Sequence, residues 1–234
     1  MGDPLADEQR LTPPTASWPD GTRVWLIDPS LVHNNTLARG VGWLDADESA
    51  RAARFVRDDD RRLFQVAHLA CRVIVGAALG RRPAEVSWRR APCPACGGPH
   101  GRPVVVGGGV EFSVSHTRGL VAIALAAQPV GVDVEGDPTD AWPDLVGWLH
   151  PNEQREVAAA TDPVVAFGRA WTRHEAHLKA LGIGLGREPS LDHLGAGQQP
   201  VGSPAGFALR DLPTPAGFHG AVVTRRDPGV RPDG

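Results

Sequence analysis

Asp133 and Glu135 stand two residues apart in Val130-Gly131-Val132-Asp133-Val134-Glu135, an alternating β-branched run of the kind that forms a strand. Side chains alternate across a strand, so the two carboxylates share one face and Val132 and Val134 take the other. Carboxylates at that spacing offer hard oxygen ligands to Mg²⁺, which usually keeps several waters and accepts further oxygens from a substrate phosphate. A solvated strand face has the same pattern, so the pair needs company before it means chemistry. That company is Trp171-Thr172-Arg173-His174-Glu175-Ala176-His177-Leu178-Lys179-Ala180, where Trp171, Glu175 and Lys179 follow at intervals of four and line one helical face. An exposed Glu–Lys pair contributes only a few tenths of a kcal/mol and accounts for neither Trp171 nor the strand carboxylates. A third acidic ligand with a phosphate-binding lysine completes a metal and pyrophosphate site. Phe112-Ser113-Val114-Ser115-His116-Thr117 adds a strand ending in two small hydroxyls around an imidazole, groups that suit phosphate oxygens. A histidine at a strand end is also commonly a cap or a satisfied turn residue.

Three other patterns are weaker. Gly182-Ile183-Gly184-Leu185-Gly186 follows a helix instead of joining a strand to one, so it reads as a helix stop and turn. Gly107-Gly108-Gly109 lacks the Gly-Lys-Ser/Thr of a phosphate loop and reads as a hairpin turn. Cys93-x-x-Cys96 with His100 supplies three ligands where a structural zinc site takes four, which favours a simple loop before Arg102.

The elements that must position these residues are legible in outline. Asp45 with Glu48 starts a capping-box helix over residues 45–55, and apolar residues at helical spacing run from 59 to 79 before Gly80. Strands are expected over 111–116, 120–126 and 130–135 as a meander, helices over 152–159 and 164–181, and a closing strand over 218–224. That alternation indicates an α+β fold, with a break near Pro129 between two halves, although no sequence repeat is convincing. Residues 21–129 form the first half and 130–226 the second, flanked by a flexible segment over 1–20 and a flexible tail over 227–234. A net charge of -3 gives no global attraction to nucleic acid or membrane, so any anion site must come from local arginines. No secretion signal and no run of eighteen apolar residues is present, which places the chain in the cytoplasm with reduced cysteines.

Taken together these motifs resemble the Sfp-type 4'-phosphopantetheinyl transferases, whose hallmarks are a Gly-Val/Ile-Asp-x-Glu strand and a Trp-x-x-Lys-Glu-x-x-x-Lys helix. The resemblance runs from Leu44 to Leu185 and includes Leu44, Glu48, Arg51 and Phe55, then Asp60-Arg61, Phe64 and His100-Gly101-Arg102-Pro103. It implies two similar α/β halves with the active site between them. It further implies Asp133, Glu135 and Glu175 as Mg²⁺ ligands, Glu175 as base, and Lys179 as the pyrophosphate lysine. Coenzyme A would meet Arg51, His100, Gly101, Arg102, Ser115, His116 and Lys179. The implied reaction is that of a holo-[acyl-carrier-protein] synthase: the phosphopantetheine arm of coenzyme A moves to a serine of an apo acyl or peptidyl carrier protein. The enzyme is expected to be a monomer, with no nucleic-acid or membrane partner. His174 departs from the pattern, standing where the family has lysine. That departure keeps a coenzyme A or carrier-binding protein without transfer activity in view, beside a metal-dependent phosphohydrolase that uses the same carboxylates.

Overall fold

The structure is a computed structural model and describes residues 13–138 and 142–227. In chain order it contains β1 (Ala16–Ser17), β2 (Arg23–Ile27), α1 (Asn34–Gly40), α2 (Ala46–Ala53) and α3 (Asp58–Leu79). There follow β3 (Trp88–Arg90), β4 (Pro103–Val105), β5 (Glu111–Thr117), β6 (Leu120–Ala126) and β7 (Val130–Gly136). The chain closes with α4 (Trp142–Leu145), α5 (Pro151–Ala159), α6 (Pro163–Leu181), β8 (Phe207–Asp211) and β9 (Phe218–Arg225).

The caps explain the helix limits. Asp45 accepts from the Glu48 amide at 2.8 Å while the Glu48 carboxylate accepts from the Asp45 amide at 3.0 Å, so the expected capping box is formed. Three aspartates occupy the first turn of α3, where they complement the helix dipole, and Gly80 ends it in the left-handed region at φ 64°. Although α3 is long and apolar enough to cross a bilayer, it lays Val66, Ala67, Cys71, Ile74 and Val75 against Trp25, Phe112, Ile123 and Leu125 of the neighbouring sheet. Asp162 caps α6, Pro163 fills its first position, and Gly182 stops it at φ 75°.

The expected meander is only half right. β5 and β6 pair antiparallel in a sheet of order β1-β2-β6-β5, but β7 leaves it and pairs with β9 in a second sheet of order β7-β9-β8. Pro129 has no amide hydrogen with which to start a ladder beside β6, and its carbonyl already accepts from Arg225 at 2.8 Å. On the side facing β5, the Val132 amide donates to Ser113 Oγ at 3.1 Å, a side chain replacing a ladder bond. Val130, Val132 and Val134 pack with Val24, Leu120, Ala122 and Ala124 between the two sheets.

The two halves share a topology that no sequence repeat reveals. In the first, β2 is followed by α3 and then by β5 and β6, with β6 central and antiparallel to both other strands. In the second, β7 is followed by α6 and then by β8 and β9, with β9 in the same central place. The N-terminal boundary needs correction, because part of the segment expected to be loose is bound. Ala16–Ser17 pairs with β2, Trp18 joins the core between the sheets, and Asp20 meets Arg210 at 2.6 Å. Residues 1–12 and most of the expected tail lie outside the described residues.

One glycine sets the distance between α6 and its sheet. A Cβ built on Gly131 would stand 2.0 Å from the Ala176 carbonyl oxygen and 2.4 Å from the Ala180 amide nitrogen, so the helix backbone rests directly on β7. Gly168 does the same from the helix side, against the His219 ring of β9. Gly131→Ala should therefore destabilise the protein by at least ~1–3 kcal/mol, the range for overpacking a filled core, in urea unfolding. A shift below about 0.5 kcal/mol, the scale of an ordinary surface substitution, would show that helix and strand are not held at this distance.

Candidate active site

Gly131, Asp133 and Glu135 share the face of β7 that α6 covers, so close packing brings Glu175 and Lys179 over the strand carboxylates. Lys179 does not act as a surface partner of Glu175. Its Nζ donates to Asp133 Oδ1 at 2.6 Å and to Ser115 Oγ at 3.0 Å, and Ser115 Oγ donates in turn to Asp133 Oδ1 at 2.8 Å. Asp133 is 2% exposed, and its second oxygen, Oδ2, is buried with no hydrogen-bond partner. Such an orphan is uncommon, because an unsatisfied buried acceptor carries its full desolvation penalty.

The neighbouring carboxylates register the same imbalance. Burial, and then the Asp133 charge, push Glu135 up to about 7 against the opposing pull of Lys179 and Thr117. Glu175 is also raised, by burial and then by Asp133. Three acidic groups around one lysine therefore leave a place that is short of positive charge. Asp133, Glu135 and Glu175 fit a divalent cation by donor type and by this deficit, although their oxygens are not drawn within 4.8 Å of one another.

Lys179 also lines a cleft of about 600 Å³, together with Arg51, Arg89, Arg90, His100, Arg102 and His116 and with the acidic Asp45, Asp47 and Glu48. His116 is lowered by the desolvating cleft wall and then by the positive fields of His68, Lys179 and Arg51, an environment suited to anions. Gly101 has a steric reason to be glycine: a Cβ there would stand 2.5 Å from the Ala91 carbonyl oxygen. Two sequence expectations change in detail. Ser115 is turned toward Asp133 and Lys179, away from the cleft, and Arg102 is bridged to Glu111 at 2.9 Å. Arg89 and Arg90, which no sequence motif singled out, line the same cleft. Their alternation on β3, a strand with no signal of its own, hid them.

His174 does not stand in for a site lysine. It is 2% exposed and turned toward α5, with Nε2 2.7 Å from Glu153 Oε2. Burial alone would raise Glu153, but His174 and the Leu194 and Gly195 amides hold it below the usual range, so the imidazole donates to a carboxylate. Trp171 likewise serves packing, stacked on Phe167 at 5.7 Å beside Leu149 and Val157.

Residues 129–222 match the model of the 4'-phosphopantetheinyl transferase superfamily. The chain is 31% identical over 163 residues to the L-aminoadipate-semialdehyde dehydrogenase-phosphopantetheinyl transferase of Schizosaccharomyces pombe, covering 62% of each chain. It is 30% identical over 158 residues to the 4'-phosphopantetheinyl transferase HetI of a Nostoc species, covering 64% of each. The matched regions thus span somewhat less than two thirds of these relatives' own length.

The carboxylate field has a measurable signature in the metal-free protein. Glu135 is raised from 4.5 to about 7, so it binds its proton more tightly folded than unfolded. Its stabilising contribution is complete below pH 4.5 and is lost as pH rises through about 7. Glu135→Gln should flatten this part of the stability curve and raise the melting temperature more at pH 8 than at pH 5, in scans with chelator present. Equal shifts at both pH values would contradict the crowding of charge described here.

Proposed function

We propose, for a chain whose residues 129–222 match the model of the 4'-phosphopantetheinyl transferase superfamily, that it transfers the 4'-phosphopantetheine moiety of coenzyme A to a serine hydroxyl of an apo carrier protein. The observation that carries this reading is the buried, unpartnered Oδ2 of Asp133, whose other oxygen holds Lys179, a lysine that lines the arginine-bearing cleft. A cation on one side and a phosphate chain on the other would complete both. Asp133, Glu135 and Glu175 would hold Mg²⁺, which when bound polarises a phosphoryl oxygen and offsets the charge of the pyrophosphate.

The chain's own groups then have distinct tasks. Lys179, 30% exposed where it lines the cleft, presents an ammonium to the pyrophosphate oxygens, and Arg51, Arg89 and Arg90 supply further positive charge. Glu175, raised above an ordinary glutamate, is the stronger base for it. In the proposed step it accepts the proton of the carrier serine as that oxygen bonds to the β-phosphorus. The bond from that phosphorus to the bridging oxygen breaks, and 3',5'-bisphosphoadenosine leaves. The enzyme acts as a cytoplasmic monomer on a soluble carrier domain in this reading. A binding protein without transfer activity drew its motive from His174, and the Glu153 contact removes that motive.

Intact-mass analysis tests the proposal: apo acyl and peptidyl carrier domains incubated with the protein, coenzyme A and Mg²⁺ should gain one phosphopantetheine. Lys179→Ala should lower the rate by about 10²–10³-fold, the scale of losing a preorganised electrostatic group, with the folded fraction measured in parallel. Carriers that stay unmodified by the wild-type protein, or a Lys179→Ala rate equal to wild type, would reject the reading.

A further inference from the structure

The strands β3 and β4 pair only with each other, and a two-stranded hairpin is marginally stable alone. The loop joining them holds Cys93, Cys96 and His100 and then delivers Gly101 and Arg102 to the cleft wall. The spacing of the cysteines and histidine suggested nothing more than a connection. In three dimensions one ligand atom from each of the three lies within 4.8 Å of the others, the one such set of three or more among the described residues, and Cys96 Sγ is 3.0 Å from His100 Nε2.

The backbone is folded around these side chains as a tight knuckle. The Gly97 amide donates to the Cys93 carbonyl at 2.7 Å, and the Gly98 carbonyl accepts from the amides of Cys93 at 2.7 Å and His100 at 2.9 Å. Gly97 has φ +74°, and a Cβ on Gly98 would stand 3.0 Å from the His100 ring and 3.3 Å from Cys96 Sγ. Both glycines thus let the chain close on the three ligands. Cys93 is 2% exposed yet joins none of the hydrophobic clusters among the described residues, unlike Cys71, which is packed in the core beneath α3.

We infer that Cys93, Cys96 and His100 form a zinc site that clips the loop between β3 and β4 and so holds one wall of the cleft. Zinc favours thiolate and imidazole donors in tetrahedral array, with bond lengths of about 2.3 Å to sulfur and 2.0–2.1 Å to nitrogen. Those lengths set ligand atoms roughly 3.5–3.8 Å apart, a separation the three groups reach by small side-chain movements. Cys96 and His100 are exposed, so the fourth position opens to solvent and takes a water. Binding deprotonates both thiols and releases their protons to solvent, with no change in oxidation state. The site is independent of the carboxylate site and of the transfer reading.

The full chain, purified without a metal-affinity tag and with reductant, should contain one equivalent of zinc by plasma mass spectrometry. Cys93→Ser and Cys96→Ser should reduce that content to background. Because either variant can fail to fold, the wild type is also stripped and reloaded with Co²⁺. The expected spectrum has a thiolate-to-cobalt charge-transfer band and visible bands of tetrahedral intensity. A zinc-free wild type that gives only the weak spectrum of octahedral cobalt would overturn the inference, as would a Cys93–Cys96 disulfide found by mass in the reductant-free protein in place of bound metal.

Discussion

The backbone of α6 lies on β7 at the distance of a missing Cβ, and the candidate site depends on that contact. With Gly131 beneath Ala176 and Ala180, the side chains that immediately precede them, Glu175 and Lys179, are brought to the strand carboxylates. Lys179 touches Asp133, Glu175 enters the same field, and Ser115 on β5 ties the pair to the first sheet. Burial first, and then repulsion from Asp133, makes Glu135 and Glu175 hold their protons more tightly than ordinary glutamates. The strain is local and electrostatic, and a rigid helix–strand contact is what keeps the groups from moving apart.

The repeated topology explains how His174, beside Glu175, can be structural. In each half a short helix begins with a capping box whose glutamate reaches the long helix that follows. Glu48 of α2 accepts from Arg72 at 2.6 Å and meets His68 at 2.7 Å on α3, while Glu153 of α5 meets His174 on α6. His174 is thus the second half's version of an interhelical clamp. The halves differ in what they present beyond the clamp: the first supplies the cationic cleft, and the second supplies the acidic face.

Much of this was legible in the residues. The alternation around Asp133, the period of four through Lys179, and the caps at Asp45, Gly80 and Gly182 are local signals, and each element formed as expected. What was hidden depended on partners far along the chain. Nothing near β7 tells which strand it pairs with, and the decision turns on a proline without an amide hydrogen and on Arg225. The direction of His174 around α6 was open because its partner is 21 residues away, and Ser115 read as a phosphate donor because Asp133 lies on another strand. The three ligands of the knuckle converge through a left-handed Gly97 and a close approach at Gly98 that spacing alone does not encode.

The central claim is that Asp133 and its neighbours form a cation-dependent site for the pyrophosphate of coenzyme A. Titration calorimetry of coenzyme A into the protein, with Mg²⁺ and with chelator, for wild type and Asp133→Asn, addresses it most directly. The account predicts that Mg²⁺ tightens binding to the wild type and that this gain disappears in a folded Asp133→Asn variant. Coenzyme A affinity that is the same with and without Mg²⁺ in the wild type, or a gain that persists in the variant, would contradict it.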